Sequence, residues 1–286
     1  PRSAAELEES RRRLKFEELF TMQLMLLLLK DAEDRVRNAI SFRSAFADAE
    51  IQRFAETLPF ALSEGQKTVW KEISENMDAD RAMNRLVLGD VGSGKTILAV
   101  LAMLKAALAG YQAVYMAPTE ILAEQHYETI RSLLAPFGIR TELITGALSA
   151  KEKKEALLAV ENGTAQCIVG THALIQPSVK YFKLGLAITD EQHRFGVKQR
   201  KALESKGESP HILVMTATPI PRTMALSVYG DLDVSAIRGM PPGRHPVKTY
   251  AIDGSYLKRV FNFMRKEMQA GHQIYVVCPL VEKSEK

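Results

Sequence analysis

The hydrophobic pattern at the start of the chain is helical. Residues 3 to about 56 contain neither glycine nor proline. Their apolar side chains recur among arginines and glutamates at the three- and four-residue spacing of a helix face. In the first part of the segment these apolar positions are Leu14, Phe16, Leu19, Phe20, Met22 and Leu24. The pattern predicts a helical segment with a short break near Asp31 to Asp34.

From Arg85 onward, short apolar runs alternate with longer amphipathic stretches. Each run is followed by a loop and a segment with helical periodicity, which predicts parallel βαβ units with right-handed crossovers and helices on both faces of the sheet. The predicted fold class is therefore α/β with a parallel sheet. The runs are LVLGD, AVYMAP, TELIT, CIVGT, LAITD and ILVMTAT.

A second, shorter α/β region is predicted after a linker. Gly239 to Gly243 reads Gly-Met-Pro-Pro-Gly, a typical linker composition. A strand (TYAID), a helix from Tyr256 to Ala270 and a strand (HQIYVVCPL) are expected to follow, as the start of a second domain. Since the chain opens at Pro1 without a methionine and stops in a charged stretch, we expect it to be part of a longer protein.

Composition narrows the class of protein only moderately. Apolar runs such as Leu24 to Leu29 are far shorter than the roughly 20 residues of a membrane span, so no membrane partner is expected. Cys167 and Cys278 lie in β-branched stretches, which favours buried reduced thiols in a cytoplasmic protein over a disulfide or metal site. A net charge of +4 permits a polyanionic partner without demonstrating one. The Arg11 to Arg13 triplet is better explained as a solvated helix face than as a DNA contact.

The strongest chemical signal is a complete phosphate-loop pattern, G-x-x-x-x-G-K-[ST], between a predicted strand and a predicted helix. Glycines let backbone N–H groups surround phosphates, and the helix N-terminus adds its positive dipole end. Lys95 is expected to reach the β- and γ-phosphates of ATP, and the Thr96 hydroxyl to hold Mg²⁺. The candidate loop residues are Gly89, Asp90, Val91, Gly92, Ser93, Gly94, Lys95 and Thr96.

An acidic partner for the metal follows the strand LAITD. Asp190 is expected to bind Mg²⁺ and Glu191 to polarise the attacking water, so Lys95, Asp190 and Glu191 are the candidate catalytic residues. An Asp-Glu pair alone is a weak signal, and it becomes specific when a phosphate loop is present. On their own, His193 would be a structural histidine and the hydroxyls of the Met215 to Pro219 stretch would cap a helix.

Together these motifs resemble those of known helicases. GDVGSGKT, APTEILAEQH, GTHALIQ, DEQHRFG and MTATPIPRT are similar to the motifs of superfamily 2 helicases. More narrowly, DEQHRFGVKQR, TATPIPRTMALSVYGDLDVS and PPGR resemble the bacterial RecG family of fork-remodelling DNA helicases, over about residues 11–286. The resemblance implies a RecA-like ATP-binding domain at 59–244, preceded by a helical connector from a wedge domain at 1–58. Residues 245–286 would be the truncated start of a second RecA-like domain.

The resemblance also implies residue roles that the sequence pattern does not assign. Gln66 would recognise adenine, while His193, Thr216 and Thr218 would couple nucleotide state to DNA grip. Thr189 stands where the family strand is usually aliphatic, and we expect this departure to be tolerated. Three motifs would grip the DNA backbone without reading bases. Their residues are Pro118, Thr119, Glu120, Thr145, Gly146, Thr171 and His172.

The activity implied by the resemblance is that of an ATP- and Mg²⁺-dependent DNA helicase in the bacterial cytoplasm. A monomeric motor would translocate on duplex DNA and remodel branched DNA, such as stalled forks and Holliday junctions, in recombination and repair. One alternative is the motor domain of a transcription-repair coupling factor, expected to carry a second glutamate where this chain has Gln192. Another is a nucleotide-gated DNA-binding module without turnover. Because the family's arginine-finger motif would follow Lys286, we expect this chain to hydrolyse ATP slowly.

Overall fold

The computed structural model describes residues 3–36, 40–190, 203, 206–217, 232–239 and 247–277. They belong to two compact units, Pro1–Pro242 and Gly243–Lys286. The boundary between the units lies inside the stretch that the sequence predicts to be a linker. Gly239, the described residue at the start of that stretch, has a φ of +96°, a conformation that favours glycine.

The first unit contains a seven-stranded sheet in the order β3-β4-β2-β5-β6-β1-β7, and every neighbouring pair of strands is parallel. The predicted α/β fold with a parallel sheet is therefore confirmed. The seventh strand was not predicted, because its sequence DVSA is short and lacks an apolar run. The strands are β1 Asn84–Leu88, β2 Gln112–Met116, β3 Thr141–Ile144, β4 Cys167–Gly170, β5 Leu184–Asp190, β6 His211–Thr216 and β7 Asp233–Ala236.

The helices of the first unit follow the predicted order with one correction. The first helix continues through Asp31 to Asp34, so the break predicted there is wrong: the segment contains no proline or glycine to interrupt the helical hydrogen bonds. The described helix ends at Val36, residues 40–44 are not helical, and the next helix begins at Ala45. The helices are α1 Ala4–Val36, α2 Ala45–Thr57, α3 Glu64–Met77, α4 Lys95–Leu108, α5 Glu120–Leu134 and α6 Ala150–Glu161.

The sheet is covered on both faces, as a parallel sheet requires. Val87 of β1 faces a core that includes side chains of α2, α3, α4 and α5. Its neighbour Leu86 faces the opposite core, to which α6 contributes. Cys167 is a buried free thiol in β4, as predicted, whereas Cys278 lies outside the described residues. Within the described ranges, no helix has the length and hydropathy that crossing a bilayer would require.

The second unit differs from its prediction in one respect. The predicted helix is present as α7, Leu257–Gln269. Neither TYAID nor the described part of HQIYVVCPL forms a strand, so these two predictions are wrong for residues 249–253 and 272–277. Tyr250 and Val277 are exposed there. A strand needs a pairing partner, and the described residues of this unit do not supply one to either segment.

A buried histidine joins the segment before α2 to the sheet. The His211 ring, at the start of β6, accepts a hydrogen bond at Nδ1 from the Met83 N–H at 2.9 Å. Nε2 lies 2.6 Å from the Ile40 carbonyl oxygen, which has no proton and must therefore accept. The ring also packs against Phe42, with centroids 4.8 Å apart. These contacts fix the neutral ring with its proton on Nε2.

Stability is therefore expected to depend on the protonation of His211. Burial lowers the pKa of His211, and this outweighs the opposing effects of the Ile40 carbonyl and the Asp78 charge. The unfolded chain takes up a proton below about pH 6.5 while the folded ring stays neutral, so stability is lost as the pH falls through this range. We expect the unfolding free energy to decrease from about pH 7.5 to about pH 5.5 more steeply in the parent than in His211→Asn.

Urea unfolding at the two pH values measures this difference. His172→Asn is the control, because it removes an exposed histidine that lies outside the contacts of His211. Equal pH dependence in the parent and His211→Asn would contradict the assignment.

Candidate ATP-binding site

Three candidate site segments meet at one edge of the sheet. Strands β1, β6 and β5 are neighbours, with Leu88 paired to Thr216 and Asp190 paired to Met215. Because the strands are parallel, their carboxyl ends lie at the same edge, where ligands of α/β sheets commonly bind. The Gly89 N–H donates to the Thr216 carbonyl at 3.2 Å. The phosphate loop, Thr216 and Asp190 are thus brought together.

The phosphate loop has the backbone conformation that its glycines predict. Gly92 and Gly94 have φ values of +76° and +82°, which disfavour side chains. A Cβ on Gly94 would also lie only 2.1 Å from Nε2 of Gln66. The loop closes through hydrogen bonds from the Ser93 N–H to the Asp90 carbonyl and from the Val91 N–H to the Asp90 carboxylate. The chain then enters α4 directly, so the helix N-terminus faces the loop.

Lys95 is the first residue of α4 and lies over its own loop. Its ammonium donates to the carbonyls of Gly89 at 2.7 Å and Asp90 at 3.0 Å. These are neutral acceptors, and phosphate oxygens are stronger acceptors for an ammonium group. The Ser93 hydroxyl is buried and has no hydrogen-bond partner among the described residues. A cation and an unsatisfied hydroxyl beside a loop of backbone N–H groups fit a bound phosphate.

Asp190 provides the carboxylate of the site. Its Oδ2 accepts a hydrogen bond from the Tyr115 hydroxyl at 2.9 Å and lies 3.3 Å from Nε2 of His126. Burial acts to raise the pKa of Asp190, but the hydrogen bonds from His126 and Tyr115 and the charges of His126 and Lys95 outweigh burial, so the pKa is lowered. Asp190 is therefore ionised at neutral pH.

Magnesium fits this arrangement as a nucleotide-bound ion. Among the described residues no cluster of three or more histidine, cysteine or acidic side chains could hold a metal by itself. Mg²⁺ is usually bound through one or two carboxylates together with substrate phosphates and water. An ionised Asp190 at the same edge of the sheet as the N-terminus of α4, where Thr96 lies, suits that type of site.

Gln66 connects α3 to the phosphate loop. Its carbonyl oxygen accepts from the Ser63 N–H at 2.8 Å, and its Nε2 donates to the Ser93 carbonyl at 2.9 Å. Ser63 in turn caps α3 by accepting from the Gln66 N–H, forming a capping box. Both ends of the Gln66 amide thus bind protein atoms, which gives Gln66 a structural contact with the loop. Its role in recognising adenine stays a prediction.

Substitution of Gln66 by alanine is expected to weaken binding of both ATP and inorganic triphosphate. Both ligands should lose affinity because the support of Ser93 is removed, and ATP should lose more if Gln66 also contacts adenine. Each lost hydrogen bond corresponds to about 0.5–1.5 kcal/mol, or a few-fold to tenfold in affinity. Calorimetric titration with the two ligands separates these effects: equal losses would contradict adenine recognition, and unchanged triphosphate affinity would contradict loop support.

The candidate DNA-contacting loops lie at the same edge of the sheet, beyond the nucleotide segments. They follow β2, β3 and β4, whose ends are in register at Met116, Ile144 and Gly170. The Glu120 carboxylate accepts from the Gly146 N–H at 2.8 Å, which joins two of these loops.

The candidate DNA-contacting residues differ in how exposed their side chains are. Thr119 caps α5 through the Leu122 N–H. The hydroxyls of Thr145 and Thr171 are buried without hydrogen-bond partners among the described residues, while His172 is exposed. The structure therefore brings the candidates Pro118, Thr119, Glu120, Thr145, Gly146, Thr171 and His172 onto neighbouring loops.

Three of the predicted site residues lie outside the described part of the chain, and two side chains that contact Asp190 were not predicted. Glu191, His193 and Thr218 lie outside the described residues. Tyr115 and His126, which contact Asp190, were missed. Tyr115 is a polar-tipped residue in an apolar strand, and that is the one signal that could have suggested it.

A parallel sheet with a phosphate loop and an ionised aspartate at one edge defines a phosphate-loop nucleotide-binding domain. The sequence model of the DEAD/DEAH box helicases matches residues 63–226, and the chain belongs to this family.

The similarity to RecG helicases extends over the whole chain. The chain is 48% identical to the ATP-dependent DNA helicase RecG of Streptococcus pneumoniae and 45% identical to that of Bacillus subtilis, covering 100% of this chain and 42% of each relative. A solved structure of RecG bound to a three-way DNA junction has 41% identity and a TM-score of 0.83, covering 98% of this chain and 37% of that one. The resemblance to RecG-type helicases is thus confirmed, and the chain spans about two fifths of the length of these curated relatives.

Proposed function

We propose that this chain is the ATP-binding motor domain of a DNA helicase that translocates on duplex DNA and remodels branched DNA, including stalled forks and Holliday junctions. The observation that carries the proposal is the shared sheet edge. The nucleotide segments follow β1, β5 and β6, and the candidate DNA loops follow β2, β3 and β4. The similarity to a RecG bound to a three-way DNA junction supports branched DNA as the partner.

In the proposed site, the nucleotide is held by residues of the first unit. Lys95 exchanges its contacts with the Gly89 and Asp90 carbonyls for the β- and γ-phosphates. Thr96 and Asp190 hold Mg²⁺, which neutralises charge on the phosphates when it is bound. Glu191 orients the attacking water. The proposed coupling residues are His193, Thr216 and Thr218.

The DNA loops would bind phosphates through hydroxyls and backbone N–H groups. Contacts of this kind position a protein on DNA without reading its sequence. The unsatisfied hydroxyls of Thr145 and Thr171 suit this role if the loops move on binding. We further propose that the motor acts as a monomer in the bacterial cytoplasm and serves recombination and repair.

Linkage between the two ligands tests the proposal. A motor that couples ATP to DNA grip must bind forked DNA with different affinities in its ATP and ADP states, and DNA must change the nucleotide affinities by the same factors. Fluorescence anisotropy with a labelled fork, in ADP and in a non-hydrolysable ATP analogue, measures these factors. Identical DNA affinities in both nucleotide states would contradict a motor function.

DNA binding is expected to be weak and steeply dependent on salt, since backbone contacts release counterions. Between about 50 and 200 mM salt, affinity should fall on the order of tenfold for about every two phosphates contacted. At any one salt concentration, the affinity should be the same for two forks of equal geometry and permuted base sequence. Binding that survives high salt, or that prefers one sequence, would contradict backbone recognition.

A further inference from the structure

Two side chains that were not predicted as site residues contact the Asp190 carboxylate. The Tyr115 hydroxyl lies 2.9 Å from Oδ2, and His126 Nε2 lies 3.3 Å from the same oxygen. The two side chains also contact each other, with 3.4 Å between the Tyr115 oxygen and His126 Nε2. Their rings pack at a centroid distance of 4.8 Å and an angle of 48°. The three groups thus form one hydrogen-bonded cluster.

The fold explains how the cluster is assembled. Tyr115 is paired with Ile188 between β2 and β5, so Asp190 lies one diagonal step along the same face. A diagonal neighbour at this spacing is within reach of an aromatic side chain. His126 comes from the second turn of α5, which packs on this face of the sheet. Tyr115 is fully buried, and the side chains of His126 and Asp190 are 17% and 14% exposed. Water therefore competes little for these hydrogen bonds.

The hydrogen-bond chemistry allows a single consistent arrangement of protons. A phenol has one proton, and Tyr115 donates it to the ionised Asp190. The Tyr115 oxygen is then an acceptor, as is Asp190 Oδ2, so His126 Nε2 must carry a proton shared between them. Two donors on Oδ2 fix the rotation of the carboxylate. Neither of these two contacts involves Oδ1, the oxygen that would meet a metal or its water.

We propose that Tyr115 and His126 are positioning residues for the metal: they hold the Asp190 carboxylate in the orientation in which it meets nucleotide-bound Mg²⁺. This inference rests on the proposed ATP-binding function. Hydrogen-bonded partners of metal-binding carboxylates commonly contribute 10- to 100-fold to metal affinity or activity. The clustering of both donors on one oxygen is the geometry that such a role requires.

The test separates metal-dependent from metal-independent binding of ATP. Calorimetric titration gives the dissociation constant of ATP in excess Mg²⁺ and in EDTA, and their ratio is the gain in affinity that Mg²⁺ provides. Tyr115→Phe and His126→Leu are each expected to reduce this gain by about tenfold or more. ATP affinity in EDTA should stay within about twofold of the parent, since hydrogen bonds of the phosphate loop are unchanged.

Two further variants control for side effects. His126→Gln places an amide N–H near the position of Nε2 and should restore most of the gain. Tyr127→Phe removes a hydroxyl from the neighbouring residue of α5, outside the cluster, and should match the parent. Thermal unfolding of each variant confirms that the fold is retained.

Each result has a distinct meaning. An unchanged Mg²⁺ gain in both Tyr115→Phe and His126→Leu overturns the inference, as does an equal loss of ATP affinity in EDTA and in Mg²⁺. If the parent itself shows no ATP binding, the proposed function fails instead. A reduced gain with restoration by His126→Gln supports the positioning role.

Discussion

Substitution of Lys95 by alanine is expected to abolish measurable ATP binding. The ammonium is the one cationic group at the start of α4, and it lies 2.7 Å and 3.0 Å from two carbonyls of its own loop. Exchanging these carbonyls for phosphate oxygens converts neutral acceptors to charged ones, which are about twice as strong. Charged hydrogen bonds contribute about 1.5–3 kcal/mol each, so losing contacts to two phosphates should weaken ATP by at least about 100-fold.

Calorimetry with ATP in Mg²⁺ measures this effect. Lys71→Ala is a matched control, because Lys71 is an exposed lysine on α3 that lies 3.9 Å from Glu75. The control should bind ATP like the parent. Near-parental affinity in Lys95→Ala would contradict the assignment of the phosphate loop. This conclusion would not depend on the results for the Tyr115 and His126 variants.

The sequence predicts the central architecture because each signal there has a local physical cause. A fully buried parallel strand reads as a continuous apolar run, and all of the predicted runs between Leu86 and Thr216 are strands. The phosphate loop is predicted by glycines that its backbone requires at Gly92 and Gly94. Strand topology then brings Asp190 beside it. That adjacency follows from the parallel order, in which only β6 separates β1 from β5.

The misses occur where structure depends on distant partners. β7 has no apolar run, and its Ser235 is buried through a contact with Arg85 that sequence spacing does not reveal. The segments around Tyr250 and Val277 have strand-like composition, but composition alone does not pair a strand. Contacts of the Asp190 cluster likewise join residues 11 and 75 positions apart. No periodic pattern connects such positions.

The second large effect is expected on the unfolding free energy, from a buried lysine in the last turn of α4. Lys105 lies within α4, and its side chain is 0% exposed. Its ammonium donates to Asp78 at 2.7 Å, Ser74 at 2.7 Å and Asp48 at 3.3 Å, which uses all three of its protons. The helix that begins at Lys95 is thereby tied to α2 and α3.

Removing the charge while keeping the volume isolates this network. Lys105→Met retains an unbranched side chain but leaves the Asp78 carboxylate, which is 21% exposed, without its cation. Breaking a buried ion pair costs about 3–5 kcal/mol, and the partial exposure of Asp78 places the expected loss near the lower end, about 3 kcal/mol. For comparison, an exposed lysine on α6 gives the control Lys151→Met, which should change the unfolding free energy by less than about 0.5 kcal/mol.

A double-mutant cycle shows whether the loss comes from the unpaired carboxylate. If it does, Asp78→Asn should recover a large part of the stability when added to Lys105→Met, because a neutral amide is less costly to leave without a cation. Urea unfolding of the parent, the two single variants and the double variant gives the coupling energy. Since Lys105 is in α4, the same set of variants can be titrated with ATP, and stability should change without a comparable change in ATP affinity. A loss below about 1 kcal/mol in Lys105→Met, or additive effects of the two substitutions, would mean that Lys105 contributes packing and not charge.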